Sequence, residues 1–315
     1  MKALQSQSLP LKESTVELPS PSPASGLSAG PLYAVLAYGS WGLLPIYWKF
    51  FGQVPAVEVL THRMIWSAVF LSGLLLILRR GAEVGQILRS RQTLFRLLIT
   101  ALLLTFNWGL YIYGVNSDRV VETSLGYFIN PLVSVLLGFL FLKERLQWGQ
   151  RLAVLLAVIG VTIFVWQFGA VPWIALALAF SFAFYGLLRK IVPVSPLVGL
   201  AVETLLITPF AIALVLYWST TGESHLGASW QITLLFVGAG VMTSLPLLWF
   251  NNAAKRLRLS TLGFFQYLAP SIQLMLGVFL YREPFTSTHA VTFGLIWLAL
   301  ILYSTTSLGL WVKKS

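Results

Sequence analysis

Apolar residues run along this chain in long unbroken stretches, not at the period of a half-buried helix or strand. Stretches of about 20 mostly apolar residues match the ~30 Å hydrocarbon core of a bilayer. Windows of that length predict ten spans, at 31–51, 57–78, 96–114, 120–142, 149–166, 171–189, 196–218, 230–250, 259–281 and 287–311. Polar residues fall between them and in a start rich in Ser, Pro and Gln, which reads as a disordered cytoplasmic tail over 1–29. That start lacks the apolar core of a signal peptide, so the first span is expected to act as its own insertion signal. The expected class is an all-α integral membrane protein with ten transmembrane helices.

Composition agrees: 57% of the 315 residues are hydrophobic and 10% charged, which leaves no room for a sizeable soluble domain. The net charge of +11 raises nucleic acid as a partner, and the positions of the cations decide against it. With both termini placed in the cytoplasm, 17 of the 21 Lys and Arg fall on the inner side. Lys49, Arg119 and Arg282 fall outside, and Arg63 lies within a span. This positive-inside bias sets the orientation and leaves the cations facing lipid headgroups. The chain has no cysteine, which excludes disulfides and thiolate metal sites. His62, His225 and His289 lie far apart without metal-ligand spacing, and no phosphate-binding Gly-x-x-x-x-Gly-Lys-Ser/Thr loop occurs. No metal, cofactor or enzymatic activity is expected, and uphill transport would draw on a proton, ion or solute gradient.

The chain repeats itself. Ser124-Leu-Gly-Tyr-Phe, Asn130-Pro131, Gly138 and Lys143-Glu144 answer Thr261-Leu-Gly-Phe-Phe, Pro270, Gly277 and Arg282-Glu283. The two prolines, the two later glycines and the two glutamates are each 139 residues apart, and Trp41-Gly42 answers Tyr185-Gly186 at 144. Two halves of five spans follow, 30–166 and 171–311. An odd number of spans per half sets the copies upside down to one another, as in the inverted repeats of alternating-access transporters.

Several motifs carry a resemblance to a known family. They are Tyr38-Gly-Ser-Trp41-Gly42-Leu-Leu-Pro45-Ile-Tyr47-Trp-Lys49, then Glu58-Val-Leu-Thr-His62-Arg63-Met-Ile-Trp66-Ser67 and Asn107-Trp108. Ser124 to Leu132, Ala179 to Leu187 and Arg256 to Tyr267 complete the set. Together they resemble the RarD ("chloramphenicol-sensitive protein") branch of EamA-type permeases, in the drug/metabolite transporter superfamily, from about residue 31 to 310. The resemblance implies two inverted EamA-like five-helix repeats around a central cavity. That cavity would be lined mainly by the first four helices of each half, with the fifth and tenth spans peripheral. It also implies a multi-pass protein of the bacterial inner (plasma) membrane.

Charges inside spans cost about 2.5–3.5 kcal/mol each on insertion scales, so they are functional candidates by default. Arg63 and His62 lie six or seven residues inside the outer end of span two, with Glu58 one turn above His62. Glu203 lies about as deep from the inner end of span seven. Opposite depths strain a direct Arg63–Glu203 bridge, which leaves Glu122 as the available partner for Arg63. Structural anchoring, gating or substrate charge, and proton coupling all remain open for these residues, and Lys49 can snorkel to the outer headgroups.

A second polar level lies near the midplane. It holds Ser40, Trp41, Asn107, Trp108, Asn130, Ser181, Tyr185, Thr243, Ser244, Gln266 and Gln273. Amides and hydroxyls at that depth need a partner on another helix or a wet cavity. Pro131 and Pro270 each free a helical carbonyl and are the candidate helix breaks. The cavity candidates are Trp41, Asn107, Trp108, Asn130, Tyr185, Gln266 and Gln273. The gating candidates are Lys49, Glu58, His62, Arg63, Glu122 and Glu203. The expected function is a secondary transporter of a small organic solute, with lipid and solute as partners. A channel or lipid scramblase of the same architecture is the alternative.

Overall fold

The computed structural model describes residues 29–117, 120–168, 171–280, 282 and 287–307, and the proposed tail over 1–29 lies almost wholly outside them. The described residues are helical throughout and contain no strand. The order is α1 (Ala29–Lys49), α2 (Ala56–Ile77), α3 (Gly81–Arg89), α4 (Arg91–Asn116), α5 (Val120–Leu142) and α6 (Trp148–Phe168). There follow α7 (Trp173–Ile191), α8 (Pro196–Thr221), α9 (Trp230–Arg256), α10 (Leu259–Gln266), α11 (Leu268–Met275), a π-helical turn (Leu276–Leu280) and α12 (Ser287–Ser307).

Seven helices among the described residues are long and apolar enough to cross a membrane. They are α2, α4, α5, α7, α8, α9 and the joined stretch Leu259–Leu280, so the protein is multi-pass. α6 and α12 carry shorter apolar stretches over Trp148–Ile163 and Ala290–Thr306. α1 has the length of a span, and its Gly, Ser, Pro, Tyr and Trp residues leave it outside that set of seven. Large apolar side chains such as Leu76, Ile77, Phe139, Trp166 and Phe279 face outward. A soluble monomer rarely exposes so much apolar surface, and lipid is the solvent that suits it.

The ninth predicted span is broken at Tyr267, between α10 and α11. Pro270 has no N–H to offer the Gln266 carbonyl one turn earlier, which is where α10 stops. Pro131 behaves differently: α5 continues through it without a break. A proline in both copies therefore interrupts the helix in one of them. α3 lies in a stretch that the span reading left unassigned. Its Arg80 clasps Glu83 through both guanidinium arms, at 2.5 and 2.6 Å, and also reaches the Ser195 hydroxyl at 3.0 Å. That hydrogen bond and charge hold the Glu83 carboxyl below its usual range.

Packing runs in pairs. α5 lies against α7 and α10, α1 against α9 and α11, α2 against α8 and α9, α4 against α7 and α8, and α6 against α12. At Gly240 the backbone of α9 meets that of α2, where an added Cβ would strike Trp66 and Ser67. Small residues permit such contact between membrane helices, and Ser67 Oγ uses it to donate to Gly240 O at 3.1 Å.

One end of the bundle is basic and stapled. Lys190 Nζ donates to the carbonyls of Ala254 and Leu257, and Lys255 Nζ to those of Lys190 and Val192. The two lysines thus cap each other's helix C-termini, where cations are favoured. Glu144 receives the N–H groups of Leu259 and Ser260 at 2.6 and 2.9 Å, closing the N-terminus of α10.

Candidate functional site

A cavity of about 220 Å³ lies between α1, α2, α4, α5, α7, α9, α10 and α11. Six of the seven sequence-level cavity candidates line it: Trp41, Asn107, Trp108, Asn130, Gln266 and Gln273. It extends from mid-bundle, at Tyr38 and Phe182, toward Trp48, Tyr111 and Tyr127 near the end opposite the basic one. No residue of α6 or α12 is among its described lining.

The polar lining is held in place by neighbouring helices. Asn107 Nδ2 donates to Leu178 O and Ser181 Oγ, both at 2.9 Å. Gln266 Nε2 donates to Ser134 Oγ at 3.2 Å, which in turn donates to Asn130 Oδ1 at 3.3 Å. Gln273 Nε2 donates to the Trp41 carbonyl at 3.2 Å. These amides therefore serve as fixed furniture of the wall as well as candidate contacts.

The seventh candidate, Tyr185, is not in the wall. It is fully buried beneath an aromatic layer in which Trp41, Phe182 and Phe250 lie with ring centroids 5.2–5.8 Å apart. Tyr185 stacks under Phe250 at 5.9 Å and shares a hydrogen bond with Asn251. Its hydroxyl also donates to Glu203 Oε2 at 3.5 Å. Glu203 accepts from Thr100 Oγ1 at 2.5 Å and stands 3.4 Å from Arg189 Nη1. Arg189 further donates to the Pro196 carbonyl at 3.1 Å. This buried knot ties α4, α7, α8 and α9 together between the aromatic layer and the basic end. Sequence reasoning missed Arg189, Thr100 and Asn251. By position Arg189 counts with the inner-side cations, because it sits two residues before the end of α7.

Arg63 forms no ion pair with Glu203. Its guanidinium lies over the Trp108 ring, 3.6 Å from the centroid, a cation–π contact. Its Nε and Nη2 are sealed from solvent without a hydrogen-bond partner among the described residues. Arg63 lines the main cavity, and with Glu203 it also lines a cleft of about 30 Å³. The side chain of Glu122, the partner expected for Arg63, lies outside the described residues.

Glu58 and His62 are away from the cavity. Glu58 is buried and clamps the α8–α9 loop, taking the His225 N–H at 2.6 Å and meeting His225 Nδ1 at 2.7 Å. His62 stacks on Phe236 at 4.1 Å, its Nε2 3.9 Å from Glu58. Lys49 closes α1 and is exposed. The same end is held by Tyr47, whose hydroxyl donates to Leu235 O at 2.5 Å.

Comparison with known proteins matches the chain to the EamA-like transporter family twice, over residues 28–166 and 170–305. A relative described as an uncharacterized transporter of Vibrio cholerae is 49% identical over 87% of this chain and 91% of its own length. Protein RarD of Salmonella typhi is 47% identical over 87% and 94%. Protein RarD of Escherichia coli is 45% identical over 87% and 93%. A crystal structure with 18% identity superposes with a TM-score of 0.67 over 89% of this chain and 99% of that one, which is a likeness of fold.

Proposed function

Since the chain belongs to the EamA-like transporter family as a RarD-type member and is not an enzyme, we propose that it carries a small organic solute across the bacterial inner membrane by alternating access. The observation that carries this reading is a cavity built from both halves of the chain and closed at one end. Its basic end is blocked in two layers, aromatic and then polar, while the cavity reaches toward the other end. Ten crossings fit the helices: α1, α2, α4 to α9, the broken pair α10–α11, and α12. The basic end faces the cytoplasm and holds both chain termini.

Two inverted repeats, 30–166 and 171–311, account for the packing. Rotating one half onto the other pairs α1 with α7, α2 with α8, α4 with α9, α5 with α10–α11, and α6 with α12. Under that exchange the α1–α9 contact answers α7–α4, α2–α9 answers α8–α4, and α1–α11 answers α7–α5. The contacts α2–α8, α5–α10 and α6–α12 answer themselves. Lys143 and Arg282, 139 residues apart, both adopt positive φ, at 53° and 56°. A symmetric frame of this kind has two equivalent closures, one at each face, and exchanging them moves the cavity opening. A proton, ion or counter-solute gradient would drive any uphill step.

Counterflow in proteoliposomes tests the reading. Vesicles preloaded with a solute found by metabolite screening should take up labelled solute faster than empty ones, with saturation. Flux that neither saturates nor responds to preloading would favour the channel or scramblase.

A further inference from the structure

The cavity holds one formal charge among its described lining residues, and that charge is positive. Its other lining groups are amides, a threonine and aromatic or aliphatic side chains, with no carboxylate. Glu203 borders the smaller cleft beside Arg63 and is already engaged by Thr100, Tyr185 and Arg189. Arg63 therefore brings a guanidinium into a low-dielectric space where two of its nitrogens lack hydrogen-bond acceptors. Buried charges are ordinarily paired, because an unpaired one forfeits hydration without replacement. The Trp108 ring supplies part of the compensation, through its face. A ring offers no lone pair in the guanidinium plane, so Nε and Nη2 stay without an acceptor among the described residues.

The rest of the wall narrows the partner. Trp41, Trp108, Phe182 and Tyr127 bring flat apolar surfaces to the cavity that Arg63 lines. An apolar cavity of ~150 Å³ suffices for benzene, so about 220 Å³ has room for one ring and a small charged group. Arginine recognises a carboxylate through two parallel N–H bonds, a geometry that a lone lysine cannot offer.

Resting on the carrier reading of this cavity, we propose that its solute is a small organic anion, a monocarboxylate with a flat apolar body and no ammonium group. The carboxylate binds the Arg63 guanidinium, and the body lies among the Trp41, Trp108 and Phe182 rings. An amino acid would bring a cation that meets no acid in the described lining. A neutral solute would leave Arg63 unpaired.

The test is binding by calorimetry to the full chain in nanodiscs of neutral lipid, with benzoate, phenylacetate and indole-3-acetate as anionic probes. Benzamide, benzyl alcohol, benzylamine and phenylalanine are the counter-probes. At least one carboxylate should bind saturably and more tightly than its amide, alcohol and amine counterparts and than phenylalanine. R63Q should weaken it by about 30-fold, the scale of a charge-assisted hydrogen-bonded pair, and R63K should recover part of the loss. W108L should weaken the carboxylate and leave the order of the probes intact. If R63Q does not fold, the probe order on the unmodified protein decides alone. Amide, amine or phenylalanine binding as tightly as the carboxylates overturns the proposal, as does no carboxylate binding up to about 10 mM. Counterflow separates this from the carrier reading. A neutral or cationic solute exchanged without competition from the carboxylates sinks the anion and keeps the carrier. A carboxylate that binds at Arg63 but is never exchanged keeps the site and sinks the carrier.

Discussion

Arg189 Nη1 stands 3.4 Å from Glu203 Oε1, and neither side chain is open to solvent. The pair is poorly satisfied: Arg189 Nε and Nη1 have no hydrogen-bond partner among the described residues. A buried network left partly unmade stabilises its state less than a complete one. That suits a closure which has to open in each cycle.

Removing the acid should open the basic end. Glu203→Gln leaves Arg189 as an uncompensated buried charge, a change of about 3–5 kcal/mol, enough to reverse a two-state population. A single cysteine placed at Thr243, in the cavity wall, reports access in a chain that has no native cysteine. Labelling from the basic face should rise in Glu203→Gln. Equal labelling in the two proteins would make the knot a static anchor.

The same knot can be disturbed without touching a charge. A Cβ at Gly199 would overlap the Arg189 guanidinium. Gly199→Ala should therefore push Arg189 off Glu203 and cost about 1–3 kcal/mol as an overpacked site. A lower melting temperature in detergent, with raised labelling of the Thr243 cysteine from the basic face, is the expected result. A stability equal to the parent's would show that α7 and α8 separate easily.

At the opposite end, Glu58 holds the α8–α9 loop through the His225 backbone and ring. Glu58→Gln replaces charge-assisted hydrogen bonds with neutral ones, a loss of up to about 1.5–3 kcal/mol. Amide exchange over residues 224–228 should quicken while exchange within α9 stays slow. Unchanged exchange in the loop would assign its order to Thr233 and Ser229 instead, which bond within the same turn.

The break at Tyr267 gives a fourth expectation. Pro270→Ala restores an N–H that can reach the Gln266 carbonyl, and a proline inside a helix costs ~3 kcal/mol. The variant should be more stable and transport more slowly, because α10 and α11 would move as one rod. Faster or equal flux would remove the break from the mechanism.

How much of this was legible in the sequence depends on what each feature needs. Depth can be counted at 1.5 Å per residue, and by that count Trp41, Asn107, Trp108, Asn130, Gln266 and Gln273 share one level; all six line one cavity. Direction around a helix axis is harder, since one residue turns the side chain by about 100° and kinks shift the count. Tyr185 shares the depth of the cavity candidates, yet it points beneath Phe250 into the knot. Arg189 escapes a reading by position for a related reason. It is close enough to the helix end to be a loop cation by number, and the packing of α8 over it, at Gly199, makes it a buried one.

The sequence by itself determined the membrane class, the family and the repeated motifs. Each of these rests on composition or spacing along one chain. Tertiary structure decided which of two matched prolines breaks its helix and which acid pairs with which base. It also decided that Arg63 lines a cavity shared by both halves while two of its donors go without a partner among the described residues. Those outcomes depend on where neighbouring helices lie and what lone pairs they bring, and contacts between residues more than a hundred positions apart leave no local pattern to read.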